Sequence, residues 1–176
     1  MVVPAIACIA IIGKNDNPLH ISLFPPFLES RLKFSFLINS CLDIFDIRRK
    51  QTSVEQDLGL LQAVDERLAA YGWLTNTGVK FLILVDMAGR HMPADAERGR
   101  VTTVSGIKDS DLKPAFRALQ TAYIQLLQNP FYTPDEHTPT AKMTSAGVSS
   151  ANIANQRFVA EVRRIGELWA PGLSKI

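Results

Sequence analysis

Hydrophobic and polar positions follow a strand-like pattern at the start of the chain. Residues 5–12 are a nearly continuous apolar run that ends in the turn-forming segment 13–18. After that turn, Leu19, Ile21 and Leu23 occupy every second position, which is the period-two pattern of a strand with one buried face. Two short strands around such a turn predict an antiparallel β-hairpin.

The next segment has the period of an amphipathic helix. Apolar residues recur at steps of three and four positions: Phe34, Leu37, Ile38, Cys41, Leu42 and Phe45. The opposite side of this helix should be polar, but it carries Leu32, Phe36 and Ile47 around Ser40 and Asp43. Composition alone leaves two interpretations open: both faces are buried within the domain, or the second face binds a partner protein around Asp43.

The rest of the chain predicts three more strands and two more helices. The strands cover 57–62, 68–75 and 79–86, and the last two are joined by a turn at 76–78. The third is apolar on both faces except at Lys80, as expected for a central strand covered on both sides. One helix starts near Ser110 and stops at Asn129 and Pro130, and a last helix carries Phe158, Val162, Ile165 and Trp169.

This order, β-β-α-β-β-β-α-α, predicts an α+β fold with an antiparallel sheet and helices on its two faces. We expect a single domain over residues 1–176, with an inserted loop at 87–109 and a polar loop at 133–155. The length of 176 residues and the 47% hydrophobic content fit one folded core. A formal net charge of +2 leaves little excess positive charge for nucleic-acid binding, and the basic run 48–50 is better explained as a solvated helix end than as a nucleic-acid or lipid patch.

Cysteine usage and the apolar start of the chain bear on its compartment. Cys8 and Cys41 lie among apolar neighbours, which is typical of buried thiols in a reducing compartment. The run 2–12 is too short for a membrane-spanning helix and lacks the flanks of a signal peptide, so we interpret it as a buried strand. We therefore expect a cytoplasmic protein.

Residues suited to catalysis or metal binding do not form a recognisable motif. His20, His91 and His137 lie in separate segments, so we expect no metal site, no cofactor and no enzymatic activity. An enzyme that uses the charged insertion at 90–100 remains an alternative.

The segment Asn129, Pro130, Phe131 and Tyr132 is predicted to be structural. Pro130 stops the helix, and both aromatic rings fold back onto the core. The alternative is that this segment is a recognition motif for another protein.

Several segments, in their order and spacing, resemble the sedlin family of TRAPP complex subunits. They are ACIA at 7–10, NPL at 17–19, LKF at 32–34, SCLDIFD at 40–46 and NPFY at 129–132. The segments LGLL at 58–61, YG at 71–72, LTN at 74–76 and VKF at 79–81 are more similar to the sedlin-like paralogue than to sedlin itself.

The resemblance implies a longin-like (SNARE-like) fold, with a five-stranded antiparallel sheet, one helix on one face and two on the other. It implies a non-catalytic adaptor subunit of TRAPP, the vesicle-tethering and Rab-activating complex of ER-to-Golgi and Golgi traffic. Asp43 matches a family aspartate associated with binding larger subunits, so the first helix, with Leu32, Phe36, Ser40 and Ile47, is expected to bind other TRAPP subunits.

The expected location is cytoplasmic and perinuclear, at ER–Golgi and Golgi membranes, with membrane association only through the complex. The alternatives are the regulatory longin domain of a SNARE, a coat adaptor of related shape, or an unrecognised enzyme. A SNARE would need a long heptad helix and usually a membrane anchor, and we find neither before Ile176.

Overall fold

The computed structural model describes residues 2–51, 56–91, 107–132, 153, 155–173 and 176. Its elements, in chain order, are β1 (Val2–Ile12), β2 (Pro18–Leu23), α1 (Arg31–Gln51), β3 (Asp57–Ala63), β4 (Leu68–Leu74), β5 (Lys80–His91), α2 (Asp109–Leu127) and α3 (Gln156–Leu168). The predicted order of strands and helices is therefore confirmed.

The five strands form one open antiparallel sheet in the order β2-β1-β5-β4-β3. β5 lies in the middle, where residues 81–85 are fully buried, which confirms the prediction of a central strand covered on both faces. Lys80, the exception in that strand, is also buried and forms an ion pair with Asp16 in the β1–β2 turn.

Hydrophobic cores lie on both faces of the sheet. On one face, α1 packs through Phe34, Ile38, Cys41 and Phe45 against sheet residues such as Leu82. On the other face, α2 and α3 pack against the alternate residues of the same strands, such as Phe81 and Ile83. This arrangement of one helix opposite two is the one expected for a longin-like fold.

Strand β1 spans the apolar run 2–12 that was interpreted as a strand, whereas β5 is longer than the hydrophobic pattern predicted. Val2 pairs with His91 and Val3 with Arg90, so the first five residues of the predicted loop 87–109 belong to β5. The register shifts between Val3 and Ala5, close to Gly89, which has a φ of 41°. A side chain at Gly89 would overlap the carbonyl oxygen of Val3. This irregularity interrupts the period-two pattern, and residues 92–106 lie outside the described part of the chain.

The predicted polar loop 133–155 ends in residues that belong to the fold. Ile153 is buried in the core, and its backbone N–H donates a hydrogen bond to the carbonyl of Leu19 on β2 at 2.9 Å. The Asn155 side chain accepts a hydrogen bond from the Phe158 N–H and caps α3. Residues 133–152 and 154 lie outside the described residues.

Within the described ranges, no helix combines the length and apolarity needed to cross a membrane.

Candidate protein-interaction surface

The buried face of α1 fixes which side of the helix meets solvent. Phe34 and Cys41 are fully buried, and Ile38 and Phe45 are almost so. Because a helix turns about 100° per residue, the positions between these residues must project away from the sheet. The outward side therefore contains the five residues that sequence analysis singled out.

Those five residues lie together on the exposed side of α1. Leu32 is 71% exposed, Phe36 is 67% exposed and Ile47 is 55% exposed. Ser40 and Asp43 are also exposed. By helical geometry all five fall within an arc of about 80°. The structure thus places the second apolar face of the helix in solvent, and partner binding by this face stays a prediction. We call these residues the α1 surface.

Asp43 is an exposed carboxylate on the same side of α1 as Leu32, Phe36 and Ile47, and its helix neighbours Ser40 and Asp46 are polar and exposed. In the described part of the chain it has no hydrogen-bond or ion-pair partner. The hydroxyl of Ser40 instead donates to the carbonyl of Leu37 at 2.8 Å. The Asp43 carboxylate is therefore available to accept hydrogen bonds from another molecule.

Contacts at the two ends of α1 hold it in place on the sheet. Near its C-terminal end, Arg48 donates a hydrogen bond to the carbonyl of Leu60 on β3 at 3.3 Å. Near its N-terminal end, the ring of Phe27 meets that of Phe34 edge-on, with centroids 5.4 Å apart. These contacts give the α1 surface a defined orientation.

An ion pair between the exposed Arg67 and the buried Asp86 supports the N-terminal end of α1, and sequence analysis missed it. Arg67 donates two hydrogen bonds to the carboxylate of Asp86, at 2.7 and 2.8 Å, and its guanidinium lies 5.0 Å from the centre of the Phe27 ring. Asp86 ends the predicted apolar strand and is 2% exposed. The available signal was a carboxylate directly after the apolar run 81–85, because a buried charge needs a partner.

The titratable groups in the cores favour a structural role over acid–base or nucleophilic chemistry. Burial raises the pKa of Cys41 to about 11, and it raises the pKa of Cys8 further, so both thiols are protonated at neutral pH. Burial, and then the nearby Arg31 cation, lowers the pKa of His20 to about 4. Among the described residues, no group of three or more His, Cys, Asp or Glu side chains could hold a metal ion.

The segment after α2 agrees only in part with its prediction. The helix ends at Leu127, before Pro130, as predicted, and Tyr132 packs half-buried against the core. Phe131, however, is 92% exposed, so the prediction that both rings fold back is wrong for this residue. Neighbouring side chains of a turn point in different directions. Here the Tyr132 side chain points toward the core and the Phe131 side chain points to solvent.

Comparisons with known proteins agree with this fold and with the earlier resemblance. The family model described as "Sedlin" matches residues 11–165. Trafficking protein particle complex subunit 2-like protein of Dictyostelium discoideum is 36% identical over 142 residues, which cover 78% of this chain and 89% of that protein. The Mus musculus protein of the same name is 31% identical over 135 residues, covering 73% of this chain and 84% of its own length. The chain therefore belongs to the sedlin family.

Proposed function

We propose that this chain is a non-catalytic adaptor subunit of TRAPP, which docks to other subunits of the complex through the α1 surface. Its relatives carry the name of a trafficking protein particle complex subunit. The observation that carries the proposal is the exposure of Leu32, Phe36 and Ile47 around Asp43. Exposed apolar residues grouped in this way usually mark an interaction site.

Asp43 gives the proposed interface its specificity. When a partner covers the α1 surface, the carboxylate loses water and must receive hydrogen bonds or a positive charge from that partner. The partner surface should therefore be apolar, with a basic or N–H-bearing group opposite Asp43. An arginine at position 43 would place a cation against this group, and the repulsion would disfavour binding.

The wider role follows from membership of the assembly. In this proposal, vesicle tethering, Rab activation and action in ER-to-Golgi and Golgi traffic are properties of the whole complex, to which this chain contributes structure. The protein would lie in the cytoplasm and reach ER–Golgi and Golgi membranes only through its partner subunits. The net charge of +2 supports a role that needs neither nucleic acid nor direct binding to anionic lipid.

The test is co-purification of the tagged full-length protein with TRAPP subunits. We expect the wild type to retain stoichiometric amounts of them and Asp43→Arg to lose nearly all, because an interface anchor commonly contributes about 30-fold in affinity. Glu167→Arg makes the same change of charge at an exposed position of α3, on the other side of the sheet, and should retain the complex. Retention of TRAPP subunits by Asp43→Arg would contradict the proposed site.

A second pair of variants tests the apolar part of the surface. Phe36→Ala and Leu168→Ala each remove one exposed apolar side chain, from α1 and from α3 respectively. Both should keep the melting temperature of the wild type, and only Phe36→Ala should weaken co-purification. If the wild type instead co-purified with SNARE proteins or coat subunits, the longin-domain alternatives would replace the TRAPP proposal.

A further inference from the structure

The turn that follows α2 displays a single aromatic ring to solvent. Phe131 is 92% exposed, the largest exposed fraction among the large apolar side chains that the structure describes. We propose that this turn is a second protein-docking element, which inserts the Phe131 ring into an apolar pocket of a partner domain. The proposal concerns a surface other than the α1 surface and does not rest on the TRAPP assignment.

Hydrogen bonds hold the turn in one conformation. The Asn129 side-chain oxygen accepts from the Phe131 N–H at 3.1 Å, and the Asn129 carbonyl accepts from the Tyr132 N–H at 3.0 Å. Pro130, between them, has a fixed φ. Tyr132 anchors the far end of the turn on the core. Because the backbone is already ordered, little conformational entropy would be lost when Phe131 enters a pocket.

The surroundings of Phe131 indicate the chemistry of the partner. Residues 118–132 contain no Asp, Glu, Lys or Arg. Ile124 and Leu127, three positions apart on the outer side of α2, are 46% and 43% exposed. The turn and the end of α2 therefore offer apolar side chains without a charge of their own, which complement an apolar pocket. They do not complement an anionic membrane, whose binding would need Lys or Arg beside the apolar residues.

A polar cleft borders the turn on its other side. The cleft lies between the end of α2 and the start of α3 and is lined by Gln125, Asn129 and Asn155, together with Arg157 and Glu161, whose charges are opposite. A protruding aromatic ring with a polar border has the organisation of a small interface, in which an apolar centre is surrounded by hydrogen-bonding groups. We therefore infer a partner domain with a pocket for one phenyl ring and, at its edge, hydrogen-bonding groups that meet the amides and the Arg157 and Glu161 side chains of the cleft.

The two surfaces lie on opposite faces of the sheet. α1 packs on one face, whereas α2, which carries the turn, packs on the other. A partner on the turn would therefore not compete for the α1 surface. Asp43→Arg should leave binding at the turn unchanged, and this separates failure of the present inference from failure of the proposed function.

The test starts with a photoreactive benzoylphenylalanine in place of Phe131 in the full-length protein, and in place of the exposed Gln128 as the control position. A protein crosslinked from position 131 is identified, and its domain is purified and titrated against wild type, Phe131→Ala, Asn129→Ala and Asp43→Arg. We expect Phe131→Ala to weaken binding by about 30-fold, as for an interface anchor, and Asn129→Ala by several-fold through loss of the ordered turn. Asp43→Arg should bind as the wild type does.

Other outcomes overturn the inference. They are the lack of an adduct specific to position 131, an affinity of Phe131→Ala within twofold of wild type, or a crosslink to a second copy of this chain. Phe131-dependent flotation with phosphatidylcholine–phosphatidylserine vesicles would point to a membrane instead. Because Phe131 is exposed, Phe131→Ala should keep the circular dichroism spectrum and melting temperature of the wild type, so loss of binding is not loss of fold.

Discussion

At the scale of single residues, His20 shows how burial controls a titratable group. Its side chain is buried, its Nε2 lies 2.7 Å from the Ser22 hydroxyl, and its ring meets Phe158 edge-on at 5.5 Å. Its Nδ1 has no hydrogen-bond partner among the described residues. Burial, with a smaller effect of the Arg31 cation, lowers the pKa of the ring to about 4. The folded protein therefore holds His20 neutral throughout the physiological range.

This lowered pKa predicts a loss of stability in mild acid. At pH 8 the ring is neutral in both states, but between pH 6.5 and pH 4 the unfolded chain binds a proton that the folded protein does not. His20 should therefore lower the free energy of unfolding by about 2 kcal/mol between pH 8 and pH 5. Urea unfolding of wild type and His20→Gln at both values measures this, because the glutamine does not titrate. Equal pH dependence in the two proteins would contradict the assignment.

The exposure and partners of some side chains could be predicted from the sequence, and those of others could not. The α1 surface could be predicted because a helix repeats every 3.6 residues, so a surplus of apolar residues on one side is visible without a structure. The exposure of Phe131 could not be predicted, because the direction of a side chain in this turn depends on two hydrogen bonds that Asn129 accepts from the N–H groups of Phe131 and Tyr132. The partnership of Asp86 with Arg67 joins residues 19 positions apart and needed the fold.

At the scale of elements, helices were easier to predict than the ends of strands. The buried stripes of α1, α2 and α3 follow the helical period without interruption. β1 does not keep a strict alternation, because a register shift between Ile6 and Cys8 turns both Ala7 and Cys8 toward α1. A bulge of this kind breaks the period-two pattern, as the shift near Gly89 does at the other end of the same strand pair.

The close packing of α3 predicts whether one substitution, Gly166→Ala, stabilises or destabilises the protein. Gly166 is buried within α3, and a Cβ there would overlap the Phe24 ring, which is itself 2% exposed. Helix propensity alone predicts that Gly166→Ala stabilises the protein by about 1 kcal/mol. We expect destabilisation of about 1–3 kcal/mol instead, because the buried Phe24 ring would have to shift within the core to make room for the methyl group. The free energy of unfolding of the variant, measured with denaturant, distinguishes these two expectations.

A double mutant identifies the cause. If the clash with Phe24 is responsible, Gly166→Ala should lower the free energy of unfolding less in a Phe24→Leu background than in the wild type, by at least about 1 kcal/mol. The smaller leucine side chain makes room for the methyl group. An unchanged cost in that background would place the strain elsewhere in α3.

At the scale of the whole molecule, the cores on the two faces of the sheet share their strands. Residues of β1 and β5 contribute to the core on the α1 side and to the core on the α2–α3 side, so neither core is complete without the same sheet. The two cores also contain different residues whose exposure can be followed during unfolding. Trp73 and Trp169 lie in the core on the α2–α3 side, whereas Cys8 and Cys41 lie in the core on the α1 side.

These tryptophan and cysteine residues test whether the α1 layer, which carries the proposed TRAPP-binding surface, unfolds together with the rest. Since the cores share β1 and β5, we expect one cooperative transition, in which tryptophan fluorescence and the reactivity of the thiols toward a short pulse of Ellman's reagent change at the same denaturant concentration. Phe45→Leu, on the α1 side, should lower both midpoints equally, by the equivalent of about 1–2 kcal/mol. If the thiols instead react at denaturant concentrations where the tryptophan signal is still native, α1 leaves the sheet as a separate unit, and a partner on its outer surface would stabilise that layer alone.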